Sequence, residues 1–134
     1  MKEYFTQISE IIFNEKKQDE NIIVTCCGEE SQFIRFNGPK VRQTGLVDDF
    51  TLYIKLISNN SQTESSFTCC GKLEIDQHAA IDALNKLRVE VRELPDDPFI
   101  VMPGNIESST KQFSGNLLSQ KDAVNSLIGA FSKR

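Results

Sequence analysis

Residues 31–45 read SQFIRFNGPKVRQTG. Two extended pieces, QFIRF and KVRQT, flank Asn37-Gly38-Pro39. Asn and Gly tolerate positive φ and proline fixes the exit, so the stretch is predicted to be a β-hairpin. Along its first arm Phe33, Arg35 and Asn37 share one face while Gln32, Ile34 and Phe36 share the other; on the second arm Lys40 and Arg42 point away from Val41 and Gln43. The stretch holds three cations and no acid in a chain whose formal net charge is -4, so the positive charge is concentrated here.

Working outward, IIVTCC (22–27) is short, β-branched and continuously apolar, which suits a buried strand ending at Gly28. On the other side TLYIKLI (51–57) alternates Leu52, Ile54 and Leu56 with Thr51, Tyr53 and Lys55, predicting one dry and one partly solvated sheet face. Asn59-Asn60 makes a turn, and SSFTCC (65–70) forms a last strand that stops at Gly71.

Helices bracket these strands. Tyr4, Phe5, Ile8, Ile11 and Ile12 fall at helical spacing within residues 3–17. After the strands, Asp76 reads as an N-cap, and Ala80, Ile81, Leu84, Leu87, Val91 and Leu94 repeat at helical spacing until Pro95. Three prolines then punctuate residues 95–103, and Ser/Thr/Gly-rich sequence continues to Ser119. Ser119 with Asp122 opens a final helix bearing Val124, Leu127, Ile128 and Phe131, which ends on Lys133 and Arg134. The order implies an α+β fold: an antiparallel or mixed sheet of about five strands covered by two helices, then a Pro-rich linker and a C-terminal helix. The domain plan is residues 1–94 as the α/β domain, 95–118 as an extended linker and 119–134 as a terminal helix that starts a further domain.

With 134 residues and 39% hydrophobic composition the chain can bury a core without staples. Its four cysteines form two vicinal pairs, Cys26-Cys27 and Cys69-Cys70, unlike a dispersed disulfide framework, so reduced thiols are expected. The N-terminus has no uninterrupted apolar run of signal-peptide type and no stretch approaches the roughly 20 apolar residues of a bilayer span. A cytoplasmic location and no membrane partner are expected. A sequence pI near 5.0 argues against nucleic acid as a partner.

Catalytic chemistry finds little to work with. Adjacent cysteines on a strand point to opposite faces, so a metal would need one thiol from each pair plus His78, and no HExxH or CxxC pattern is present. The one histidine has no local motif that would make it the base of a nucleophile. The carboxylate pairs Asp48-Asp49 and Asp96-Asp97 fall in predicted turns, where water keeps both ionised. The glycines are scattered too singly for a phosphate loop. No catalytic residue and no metal ligand is expected in this chain. The hairpin cations have three readings: pairing with Asp48, Asp49 or Glu29; an arginine fork with a neighbouring amide gripping a carboxylate or peptide carbonyl; or strands gripping single-stranded nucleic acid, which lacks a second basic cluster to continue the track.

SQFIRFNGPKVRQTG resembles the signature near the start of the TldD/PmbA family, described as modulators of DNA gyrase and as metallopeptidases. LRVEVRELPDDPFIVMPGN (87–105) is similar to that family's helix and Pro-rich exit, and TLYIKLI lies where the family has a strand. The resemblance implies an N-terminal α/β domain with the start of the next segment, non-catalytic by itself. The zinc-binding HExxxH motif of catalytic members lies in their C-terminal region and does not occur here. It further implies a homodimer, or a heterodimer of a catalytic and a metal-free subunit, enclosing a cavity for unfolded peptide. Arg35, Asn37, Lys40, Arg42 and Gln43 occupy the matching signature positions and are the expected substrate- or partner-binding residues. The competing expectation is a free-standing peptide- or protein-interaction module with no peptidase role.

Overall fold

The computed structural model describes residues 1–38, 40–102, 104–105 and 107–131, with only the main chain at Gln120 and Phe131. Expectations that rest on Pro39, Lys133, Arg134 or the Phe131 side chain lie outside the described residues. The elements run α1 (Lys2–Asn14), β1 (Glu20–Asn37), β2 (Lys40–Ser58), β3 (Ser61–Thr68), α2 (Leu73–Glu90) and α3 (Gln120–Phe131). The three strands form one sheet in the order β1-β2-β3. Both connections are two residues long, so the sheet is an antiparallel meander. At the second connection Asn59 and Asn60 take φ of 49° and 61°, and Ser58 pairs with Ser61.

The expected α+β class holds, but the sheet has three strands where about five were expected. The pieces 22–27 and 32–36 are one strand, and so are 40–44 and 51–57. Gly28 and the run Gly45–Asp49 suggested breaks, yet neither glycine has positive φ. They are glycines because something lies close. A Cβ at Gly28 would sit 2.8 Å from Met1 Sδ and 3.1 Å from the Asp49 carbonyl oxygen, and one at Gly45 would collide with the Phe33 ring. Close approach, and not a turn, selects glycine at these two strand positions.

The chain divides into two compact units. The first takes Met1–Glu29 and Asp49–Met102. Its core is one cluster: Ile8 and Ile12 from α1, Leu52, Ile54 and Leu56 from β2, Ala80, Leu84 and Leu87 from α2, and Val91 just beyond it. Alternation over residues 51–56 of β2 sends Leu52, Ile54 and Leu56 into this layer, while Thr51, Tyr53 and Lys55 on the other face are half-buried. Each fully buried Leu or Ile contributes about 1.5–3 kcal/mol, so this one layer dominates the unit's stability. At one end of β3, Ser61 Oγ donates to the carbonyls of Leu94 and Pro95, and the Asp97 N–H donates to the Asn60 carbonyl at 2.7 Å. The Pro-rich exit is therefore tied down at its start.

The second unit takes Glu30–Asp48 and the chain after Met102. It contains the outer halves of β1 and β2 and helix α3. None of its described side chains is fully buried: Ile34, Phe36, Val41, Val124 and Ile128 are half-buried, and Leu127 is exposed. Ser119 caps α3, its Oγ accepting from the Asp122 N–H at 3.2 Å. Phe113 and Leu117 are 90% and 95% exposed on the extended stretch before it.

Candidate functional site

The basic tip of the β1–β2 hairpin is built by strand alternation. Gly38 takes φ of +58°, a conformation glycine adopts without steric penalty, at the first position of the connection between Asn37 and Lys40. Strand alternation puts Arg35 with Asn37 on one face of β1, and Lys40 with Arg42 on one face of β2. Burial follows this alternation: Ile34, Phe36 and Val41 are half-buried, whereas Arg35, Asn37, Lys40 and Arg42 are exposed. Gln43, of the opposite parity, is exposed too. The structure thus gathers four of the five expected residues on one face and sets Gln43 apart from them.

Cations gathered on one hairpin repel, and pairing with Asp48, Asp49 or Glu29 would relieve this. Among the described residues Arg35, Lys40 and Arg42 make no ion pair; the pairs formed are Lys55–Glu64 and Arg88–Glu20, elsewhere in the fold. Asp48 and Asp49 lie within β2 and not in the expected turn. The unit that contains the tip holds seven Lys and Arg against four Asp and Glu, inside an acidic chain. Its geometry suits a ligand with paired acceptors, since an arginine fork donates two parallel hydrogen bonds to a carboxylate.

The thiols divide by depth. Cys26 and Cys69 pack against the core while Cys27 and Cys70 are exposed, and all four are free. One member of each pair therefore lies against the core and the other at the surface. Burial, with Asp76 and the neighbouring thiols adding to it, pushes Cys69 up to about 11; burial also raises Cys26. Limited alkylation with iodoacetamide near pH 8 should label Cys27 and Cys70 well before Cys26 and Cys69, as read by mass spectrometry of tryptic peptides.

Among the described residues no three His, Cys, Asp or Glu side chains are placed to hold a metal ion. His78 is exposed on α2, its Nδ1–H donating to the Glu74 carbonyl one turn back at 2.6 Å. The residues present do not fit a zinc ion. A depression of about 140 Å³ on the sheet is bounded by Cys27, Gly28, Glu29, Asp49, Thr51 and Tyr53. That is below the roughly 300–1,000 Å³ of sites that enclose small molecules.

Two polar clusters join residues far apart in the sequence. Asp76 is not an N-cap; α2 begins at Leu73, and the buried Asp76 carboxylate reaches back to accept from Tyr4 Oη–H and from the N–H groups of Cys70 and Gly71, both at 2.9 Å. Burial pushes this carboxyl up, but those hydrogen bonds outweigh it and hold it below the ordinary carboxylate range. Burial, joined by Asp76, raises Tyr4. In the second cluster Arg88 donates through Nε at 2.7 Å and Nη2 at 2.9 Å to the two carboxylate oxygens of Glu20, and through Nη2 to the Glu15 carbonyl. The partners lie 72 and 68 residues apart in sequence, and no short motif announces them. Scans against protein-family models, curated proteins and solved structures found no match to this chain.

Proposed function

We propose that this chain is the N-terminal, non-catalytic portion of a TldD/PmbA-like zinc metallopeptidase, in which the hairpin tip positions unfolded peptide or a partner subunit. Hydrolysis of the peptide bond would then belong to a C-terminal HExxxH domain. The reading draws on the resemblance of residues 31–45 and 87–105. The observation that carries it is the exposed face of Arg35, Asn37, Lys40 and Arg42, cationic and without an acidic partner among the described residues. Such a face holds and orients a carboxylate or a peptide carbonyl; it has no group that activates water.

Zinc and an unstructured peptide added to this chain should give no hydrolysis above background, measured by release of new amino termini. Turnover by the 134 residues would overturn the division of labour. The double substitution Arg35→Ala with Arg42→Ala should weaken binding of a fluorescent, carboxylate-bearing unfolded peptide at least about tenfold. The melting temperature should stay almost unchanged, as for exposed positions generally. A large fall in melting temperature would mean that these arginines serve the fold.

A further inference from the structure

Asn37 is the one asparagine of the chain that precedes a glycine. It closes β1, is exposed, and leads into Gly38 at the first position of the connection, outside both strands. Gly38 has φ of +58° and open space within 4 Å of the point where a side chain would start. Nothing therefore crowds the Gly38 main-chain nitrogen as it approaches the Asn37 side-chain amide to close a five-membered ring. The setting is cationic as well. Arg35 lies two residues back on the same face of β1, and Lys40 and Arg42 follow on β2. Positive charge favours the deprotonated nitrogen that attacks and the oxyanion that then forms. The other asparagines lack this combination. Asn116 is exposed too but precedes Leu117, and Asn60 sits in the other tight connection but precedes Ser61, which is buried and donates to the Leu94 and Pro95 carbonyls. Asn14, Asn85 and Asn125 lie in helices and Asn21 in β1.

We propose that Asn37 is a self-modifying position, at which the hairpin tip converts its own neutral amide into a carboxylate. The Gly38 nitrogen forms a bond to Asn37 Cγ, its proton passes through water to the side-chain nitrogen, and that nitrogen leaves as ammonia; the product is a cyclic imide. Water then opens the ring at either carbonyl. Opening at Cγ gives aspartate. Opening at the main-chain carbonyl gives isoaspartate, whose main chain runs through Cγ and whose carboxylate sits on Cα. The sum is one water consumed and one ammonia released, with no oxidant, metal or second protein. Either product puts a negative charge beside Arg35, so Arg35, Lys40 and Arg42 together with residue 37 fall from three net positive charges to two. A carboxylate held there competes for the arginine fork that would grip a ligand's carboxylate. The tip's charge then falls with the age of the molecule. This regulatory consequence rests on the proposed role of the tip; the chemistry at Asn37 does not.

Peptide mapping of the native wild-type chain, held for days at mildly alkaline pH, tests it. Trypsin cuts after Arg35 and Lys40 and so releases residues 36–40 as one peptide. With time it should divide into the amide and two acids, aspartyl and isoaspartyl, separated by reversed-phase chromatography and mass spectrometry, while Asn60 and Asn116 keep their amides. Gly38→Ala should slow the loss at least about tenfold. Asn37→Gln, whose longer side chain closes only a six-membered ring, should stop it over the same interval. A native chain that keeps the Asn37 amide while the same chain unfolded in urea loses it would overturn the proposal, because the fold would then shield the position. Loss at Asn116 as fast as at Asn37 would overturn it too. For the consequence, Asn37→Asp should bind a fluorescent, carboxylate-bearing unfolded peptide at least about threefold more weakly than Asn37→Ala does. Equal affinities, with Arg35→Ala and Arg42→Ala together still weakening binding, would refute the effect of charge. If that double arginine variant instead binds the peptide like wild type, the proposed role of the tip fails, and the peptide map still decides the chemistry at Asn37.

Discussion

Arg88→Ala should lower the unfolding free energy by about 3–5 kcal/mol, because it strands a buried carboxylate without its partner. Glu20 is 5% exposed and the Arg88 side chain 10% exposed, with the fork of Arg88 on both carboxylate oxygens. Urea denaturation at neutral pH measures the loss directly. Replacing both ends, Glu20→Met with Arg88→Met, should cost far less, because no unpaired charge remains in the interior. The same pair sets a pH dependence. The Arg88 hydrogen bond holds Glu20 below its ordinary 4.5, against the burial that pushes it up. With the folded value depressed, the stabilisation is complete above the unfolded-state value and is lost as pH falls through the folded one. In Arg88→Ala this component of the acid limb should vanish, so wild type and variant should converge in stability as pH falls through the depressed Glu20 value.

Asp76→Ala should be comparably severe. It leaves the Tyr4 hydroxyl and the N–H groups of Cys70 and Gly71 without their acceptor. These donors are only part-buried, so each costs toward the low end of about 1–3 kcal/mol, which puts the expected loss for the three at about 3 kcal/mol. Tyr4→Phe removes one bond and leaves the carboxylate its two backbone donors, so about 1 kcal/mol is expected there. Hydrogen exchange separates a local role from a global one: in Tyr4→Phe the Cys70 and Gly71 amides should stay protected, while in Asp76→Ala they should exchange much faster. If Asp76→Ala melts within a degree or two of wild type, the carboxylate does not anchor the start of α2.

Much of the architecture can be read from local pattern because local pattern produces it. Ile8 with Ile12, and Ala80 with Leu84 and Leu87, recur at helical spacing and are the residues that meet in the core. Leu52, Ile54 and Leu56 alternate and all point inward. The strand count fails where one residue type serves two physical ends. Glycine marks a turn when it supplies positive φ, as at Gly38, and marks a close approach when another group occupies the space of a side chain, as at Gly28 and Gly45. Sequence alone does not separate the two. The hairpin tip is legible because a two-residue turn and strand alternation place its cations, whereas Glu20–Arg88 and Tyr4–Asp76 are invisible because only tertiary packing brings them together. Asp76 departs from the expected N-cap role for a related reason. Asp near a helix start caps it in many proteins, and here the same carboxylate serves the preceding loop instead.

That separation along the chain bears on the order of folding events. The meander can zip through two tight connections, each closing a small loop at little entropic cost. The clamps from Tyr4 to Asp76 and from Glu20 to Arg88 require some seventy intervening residues to be in place first. Latches that shut after the rate-limiting barrier would show it in kinetics: weakening either should hasten unfolding and leave the refolding rate nearly untouched.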